Sequence, residues 1–181
     1  LDKVYIENHR GLVDVPVEKL RSVKALFEKN GIETAGGITS TVLVNGERKP
    51  SYYDTFCYTD PAHRERYLQI VRDVASVFDE IILDDFFFTS CTCEMCIEAK
   101  GKQSWQEYRL KLMEDFARVI VAEARSVNPG INFIIKYTTD DDYFELSTAD
   151  VKEVFEGMNL NDVNIINNLK DLIAENIAVE E

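Results

Sequence analysis

The stretch from Asp79 to Trp105, DEIILDDFFFTSCTCEMCIEAKGKQSW, constrains the fold of this chain more than any other. Ile81, Ile82 and Leu83 form an apolar run too short for an ordinary helix and apolar on both faces, the pattern of a central parallel strand covered on both sides. The run delivers two adjacent carboxylates, Asp84 and Asp85, then three phenylalanines and a C-x-C-x-x-C loop (Cys91, Cys93, Cys96), before a long helix opens near Ser104. In α/β folds the chemistry gathers just outside the carboxyl ends of parallel strands, so this junction is the first candidate site.

The rest of the chain repeats the same alternation. Lys3–Asn8 reads as a strand that ends in Glu7, Asn8, His9 and Arg10. Pro16 opens a helix with Val17, Leu20, Val23, Leu26 and Phe27 at helical spacing, closed by Asn30 and Gly31. Ile32–Thr39 is a second strand, with Gly36 and Gly37 allowing close backbone approach. A long loop, 41–59, carries the Asn45-Gly46 turn signal and the aromatics Tyr52, Tyr53, Phe56 and Tyr58. Asp60 and Pro61 cap a helix reaching about Phe78, with Tyr67, Ile70, Val71, Val74 and Val77 on its buried stripe. Ser104 and Glu107 have capping-box spacing at the start of a third helix, which ends before Asn128, Pro129 and Gly130. Ile131–Tyr137 is the fourth strand. Strands alternating with helices predict successive βα units and a parallel sheet with the helices outside.

After Tyr137 the character changes. From Thr138 to Glu181 there are 12 acidic and 2 basic residues, so most of the net charge of −13 lies there. Ser147 or Thr148 caps one short helix ending at Gly157, and Asp162 caps another, with a strand at Val163–Ile166 as the competing reading. The expected organisation is therefore 1–137 as βα units and 138–181 as an acidic helical segment packed on or closing the same domain. The charge argues against a nucleic-acid or anionic-membrane partner. No apolar run approaches the roughly 20 residues that span a bilayer. Leu1 in place of Met is the pattern of a processed or excised segment. The compartment, cytoplasmic or secreted and periplasmic, is not written in the sequence.

Several residues carry candidate chemistry. Asp84 and Asp85 are either ordinary charges where a strand meets solvent or a carboxyl group among phenylalanines, whose apolar setting raises its pKa toward the general-acid range. Three thiolates at C-x-C-x-x-C spacing can wrap one ion. A structural Zn²⁺ takes four ligands, and Cys57 on the preceding βα loop is the natural fourth. A disulfide from Cys57 to one of the three, or simply free thiols, are the competing readings. Glu7, His9 and Arg10, with Lys136 and Tyr137, are the polar groups at other strand ends, suited to holding a sugar hydroxyl or a carboxylate or, more plainly, to bonding their own loops. His63 reads as a surface residue, and Asp140, Asp141 and Asp142 as a solvated run with a catalytic or metal role as the alternative.

The run DDFFFTSCTCEMCIEAKGKQSWQEYRLKLM resembles a segment of the zinc-bearing β-galactosidases of the (β/α)₈ glycoside hydrolase clan, where a strand-end Asn-Glu precedes a C-x-C-x-x-C loop and a helix. The resemblance implies a structural zinc on the four cysteines and an acid/base role for the second carboxylate. YIENHR, GGIT, FCYT, DEIILDDFFF, KGKQSW and NPGINFIIKY together look like a group of bacterial TIM-barrel glycoside hydrolases, over residues 3–137. Asp84-Asp85 stands where Asn-Glu is found, so Asp85 is the implied acid/base and Asp84 its alternative. A complete barrel takes roughly 250 residues, whereas this chain has about four βα units.

The expected fold is thus a partial (β/α)₈ barrel, and the expected function carbohydrate-active and glycoside hydrolase-like, with a carbohydrate substrate. The open sheet edges of a half barrel call for the tail or a homo-oligomer to cover them. The alternative is a non-catalytic zinc-stapled α/β scaffold that binds a sugar or a protein. A flavodoxin-like domain is disfavoured, because no phosphate-cradling loop follows the first strand.

Overall fold

The computed structural model describes residues 1–11, 13–42, 55–84, 87 and 89–135, with the backbone alone at Asp84 and Ile135. Asp85, Lys136, Tyr137, Asp140–Asp142, the Asn45-Gly46 turn, the expected boundary at 137 and the tail helices lie outside the described residues.

The elements run β1 (Lys3–Arg10), β2 (Val13–Asp14), α1 (Val17–Lys29), β3 (Glu33–Thr39), α2 (Pro61–Ala75), β4 (Glu80–Asp84), α3 (Glu94–Lys100), α4 (Trp105–Val127) and β5 (Asn132–Ile135). Their order across the sheet is β2-β1-β3-β4-β5. All neighbours from β1 to β5 pair in parallel, and only the two-residue β2 is antiparallel, on the outer edge of β1. Strands that follow chain order without reversal have no topological switch point of the doubly wound kind. Right-handed crossovers then put successive helices on one face, which is how a (β/α)₈ barrel winds.

The local signals behave as their chemistry requires. Asp60 accepts the Ala62 N–H ahead of Pro61, and Ser104 with Glu107 forms a reciprocal capping box on α4. Asn30 and the left-handed Gly31 (φ 74°) end α1. Two elements escape the sequence reading. β2 is too short to show a period, and α3 is a seven-residue helix inside what reads as a cysteine loop. On α1 the buried side is centred on Leu20, and Leu26, about 120° round the helix, is exposed.

The sheet has two unlike faces. A Cβ on Gly36 would lie 2.3 Å from Val74 Cγ1 and 2.9 Å from Phe78 Cδ2, so this glycine is what lets α2 rest on β3. Ile38, Ile81, Leu83 and Phe133 are buried, as are Tyr67, Ile70, Val71 and Val74 of α2 and Phe116, Ala117 and Ile120 of α4. Phe116 packs on Tyr58 and Tyr67 at ring centroid distances of 4.8 and 5.6 Å. Gly37 points the other way, toward Ile82 Cγ2 at 3.6 Å, and Ile82 and Ile134 are only half-buried. The central strand is therefore fully covered on its helix side alone. No helix among the described residues is long and apolar enough to cross a membrane.

Candidate functional site: a cysteine clip and a carboxylate rim

The four cysteines expected as ligands come together: one ligand atom from each of Cys57, Cys91, Cys93 and Cys96 lies within 4.8 Å of every other. Cys57 arrives on the loop before α2, Cys91 on the loop after β4, and Cys93 and Cys96 flank the first turn of α3, where x-x spacing puts them on one side. Their Sγ separations are 3.8 Å (Cys57–Cys93), 3.5 Å (Cys57–Cys96) and 3.7 Å (Cys93–Cys96), contacts rather than disulfide bonds, and all four thiols are free. A tetrahedral ion with metal–sulfur bonds near 2.3 Å spaces its sulfurs about 3.8 Å apart, so the donor set and its dimensions fit one metal ion. Cys57 and Cys96 are buried, with Tyr108 beside them and Trp105 and Leu112 packed around, so the cluster is closed as structural metal sites are.

The surroundings support the sulfurs. The Cys57 N–H donates to His63 Nδ1 (3.0 Å), so His63, expected at the surface, is half-buried and fixes the loop. The Thr59 hydroxyl lies 3.1 Å from Cys96 Sγ and 2.5 Å from the Tyr108 hydroxyl. The Cys91 S–H, helped by backbone amides and Cys96, drives the Cys57 thiol down to about 4. Cys91, as that donor, is pushed up, and burial raises Cys96 to about 11. One sulfur thus takes the negative charge readily, and ionising its neighbours calls for a cation at their centre.

The second group lies at the carboxyl rim of β1 and β3. In a regular strand Glu7 and Arg10 would face opposite ways, but the register shifts between Glu7↔Gly37 and His9↔Ile38, a bulge with Asn8 as the extra residue. That shift lets Arg10 Nε donate to Glu7 Oε1 (2.9 Å) and Oε2 (3.0 Å), while the buried Thr39 hydroxyl donates to Glu7 Oε1. Arg10 Nη2 also reaches Thr39 Oγ1 at 3.4 Å.

His9 holds the bulge from below. It is fully buried, with Nε2 2.8 Å from the Thr41 carbonyl and Nδ1 2.5 Å from Asp14 Oδ1. A carbonyl only accepts, so Nε2 carries a proton, and Nδ1 shares another with the Asp14 carboxylate. Both nitrogens are spent inside the protein, so His9 orients the rim rather than offering a free nitrogen to a ligand. Asp14 is also reached by Arg66 Nη2 at 3.4 Å.

At β4, Asp84 pairs in register with Thr39, at the level of the Glu7–Arg10 group. Of the residues singled out from sequence, Glu7, His9 and Arg10 cluster, the four cysteines cluster separately, and Asp85, Lys136 and Tyr137 lie outside the described residues. Thr39, Asp14, Thr59 and Tyr108 were not anticipated. The only signal for Thr39 was a hydroxyl at the end of the GGIT strand.

Among solved structures, the chain is similar to a xylose isomerase domain protein from Planctomyces limnophilus, with TM-score 0.50 and 14% identity over 87% of this chain and 51% of that one. It is likewise similar to D-psicose 3-epimerase from Clostridium cellulolyticum H10, with TM-score 0.53 and 12% identity over 88% and 50%. These likenesses show the fold: both are TIM barrels, and this chain spans about half of each. The uncharacterized protein SSO3021 of Saccharolobus solfataricus is 26% identical over 183 residues, 86% of this chain and 31% of the relative, so the chain spans about a third of that relative's length. Residues 1–158 match the family described as probable glycosyl hydrolase, catalytic domain, and with the sheet order and the strand-end cluster above, the chain belongs to that family.

Proposed function

We propose that this chain is a portion of a (β/α)₈ glycoside hydrolase barrel that takes its carbohydrate at the carboxyl ends of β1, β3, β4 and β5 and supplies the acid/base carboxylate from Asp85, with Asp84 as the alternative. The observation that carries the reading is the register Thr39↔Asp84, because Thr39 is bonded to Glu7 and the β4 carboxylates leave the sheet at that level. A sugar seated there meets Glu7, Arg10 and, beyond β5, Lys136 and Tyr137 as hydroxyl-binding groups, with His9 steadying Arg10 and Glu7 from behind. The β4 acid gives its proton to the glycosidic oxygen as the bond to the anomeric carbon breaks. Phe87, two residues after Asp85, is buried, and apolar surroundings at that point in the chain would favour a protonated carboxyl group.

Zn²⁺ is the ion that four thiolates in a closed tetrahedral set select, held by Cys57, Cys91, Cys93 and Cys96. It would supply no chemistry to the sugar. It would clip the loop after β3 to the loop after β4, and so fix the approach to the rim.

The test is turnover of a panel of 4-nitrophenyl glycosides by the full-length protein. Asp85→Asn or Asp84→Asn should lower kcat by about 10²- to 10⁴-fold, and elemental analysis of protein purified without chelator should find one zinc per chain. A wild-type protein that turns over no member of the panel while still binding sugars would instead be the non-catalytic zinc-stapled module. A protein without stoichiometric zinc would remove the clip.

A further inference from the structure

Resting on the reading of the four cysteines as a zinc clip, we propose that Thr59 and Tyr108 are positioning residues for the metal: Tyr108 donates its hydroxyl proton to Thr59, Thr59 donates its own to the Cys96 sulfur, and this relay sets how tightly Cys96 holds the ion. Three side chains from three separate elements make the chain. Thr59 Oγ1, on the loop before α2, lies 3.1 Å from Cys96 Sγ of α3 and 2.5 Å from the Tyr108 hydroxyl of α4.

The direction of the relay follows from the chemistry of the sulfur. A thiolate that binds an ion has no proton to give and only accepts, so the Thr59 O–H points at Cys96. The one hydroxyl proton of Thr59 is then spent. The Tyr108 O–H therefore supplies the second bond, as donor to a Thr59 lone pair. Hydrogen bonds in series polarise one another, so Tyr108 acts on the metal ligand through Thr59.

Cys96 is the sulfur that calls for such a donor. Four thiolates around a divalent ion leave two negative charges in a group whose Cys57 and Cys96 are buried, and buried charge is costly unless it is hydrogen-bonded. Cys57 has the backbone amides of Thr59 and Asp60 at its sulfur, and Cys91 has the amide of Cys93. Cys96 instead lies inside α3, where the amides that follow it are drawn to helix carbonyls, as the Ile97 N–H is to the Cys93 carbonyl at 2.9 Å. A side chain from outside the helix has to serve it.

Both members of the relay are fixed by local structure that owes nothing to the metal. Thr59 sits in a turn closed by the Asp60 N–H on the Cys57 carbonyl at 3.2 Å, and Asp60 then caps α2. Tyr108 is buried in the first turn of α4, its N–H 3.1 Å from the Ser104 carbonyl, directly behind the capping box. The hydroxyls are thus held in place ahead of the ion, and they tie α4 to a clip that otherwise joins only the loops after β3 and β4. Outer partners of this kind orient metal ligands and tune the metal.

The experiment uses the full-length protein loaded with zinc or with cobalt(II). Competition against a chromophoric chelator should show the zinc dissociation constant raised about 10- to 100-fold in Thr59→Val. In the cobalt form the sulfur-to-cobalt charge-transfer band should move to longer wavelength, because a thiolate that loses a donor gives up electron density more easily. Thr59→Ser, which keeps the hydroxyl, should restore both readings. Tyr108→Phe should shift both in the same direction by less, and adding it to Thr59→Val should weaken zinc binding by no more than about twofold, since the path through Thr59 is already gone. These two variants carry the test if Thr59→Val is poorly folded. Wild-type affinity and an unmoved band in Thr59→Val or in Tyr108→Phe overturn the relay and leave the clip intact, as does a Thr59→Ser protein no tighter than Thr59→Val. A wild-type protein that takes up neither metal overturns the relay and the clip together.

Discussion

The cysteine clip and the β1 rim are built in opposite ways. The clip is local and chemical: three of its four sulfurs come from six consecutive positions, and the fourth arrives from the neighbouring loop. The rim is non-local and geometrical: Glu7, Arg10 and Thr39 meet because β1 pairs with β3 in one register below Glu7 and another above it. A set of soft ligands tolerates some looseness in the backbone, because the ion organises it. A carboxylate held by a guanidinium and a hydroxyl has no such organiser and depends on the bulge, which depends on His9. The two regions should therefore fail under different insults.

If the four cysteines hold the zinc proposed for them, removing it should have the largest effect and should fall on the clip. At free zinc a thousandfold above its dissociation constant, binding contributes about 4 kcal/mol to stability. In a domain of this size that is a fall in Tm of roughly 8–16 °C on chelation, read by calorimetry before and after adding chelator. Near-UV signals from Trp105 should change first, since it packs on the cysteine group. The pH dependence of the metal-free protein follows from Cys57. Its thiol is held down to about 4 from an ordinary 9.0, so its stabilising contribution is complete above pH 9 and is lost as pH falls through about 4. A metal-free protein whose clip stays closed as pH falls from 7 through 4 would contradict this sign.

Substituting His9 should have a smaller effect that falls on the rim. His9→Phe strips partners from the Thr41 carbonyl and the Asp14 carboxylate and should cost about 1–3 kcal/mol, measured by urea unfolding. Turnover should fall with it while zinc stoichiometry stays at one per chain. Loss of zinc in this variant would show that the two regions are coupled rather than separate.

How much of each region was legible in the sequence follows from the same contrast. β1, β3, β4 and β5 and the helices α1, α2 and α4 announce themselves by period and by caps such as Asp60-Pro61 and Ser104 with Glu107, signals that act within a few residues. The clip was legible because cysteine spacing reports distance directly. α3 was not, because seven residues within a cysteine loop carry too little periodicity, and its Cys93 N-cap position makes no side-chain cap bond. The rim was legible only in part. Glu7, His9 and Arg10 stand out as polar groups after a strand, but nothing in YIENHR marks Asn8 as a bulge, since it is neither glycine nor proline. Without the bulge, strand alternation assigns Glu7 and Arg10 to opposite faces, and Thr39 cannot be matched to either. His63 was misjudged for a different reason: first-turn helix positions are usually wet, and nothing local signals that the loop entering α2 folds back so that His63 accepts the Cys57 N–H six residues earlier.

The finest test of the comparison is Gly37→Ala, because it should leave both regions standing and still register at the rim. At Gly36 an added methyl would collide with Val74 and Phe78, but at Gly37 the nearest atoms stand 3.5 Å or more away, ordinary van der Waals contact. Gly37 is not among the glycines with positive φ, so alanine meets no backbone penalty and removes some freedom from the unfolded chain. The expected change in stability is small, from neutral to a gain of about 0.4–1 kcal/mol, with zinc content unchanged. The methyl nonetheless stands on the floor between Glu7 and Ile82, where a sugar ring would lie closest to the sheet. KM for the 4-nitrophenyl glycoside should rise several-fold while Tm holds or increases. A variant in which KM and Tm both stay at the wild-type values would mean that the ring does not rest on β3 at this level, and the rim would then have to take its substrate from above Thr39.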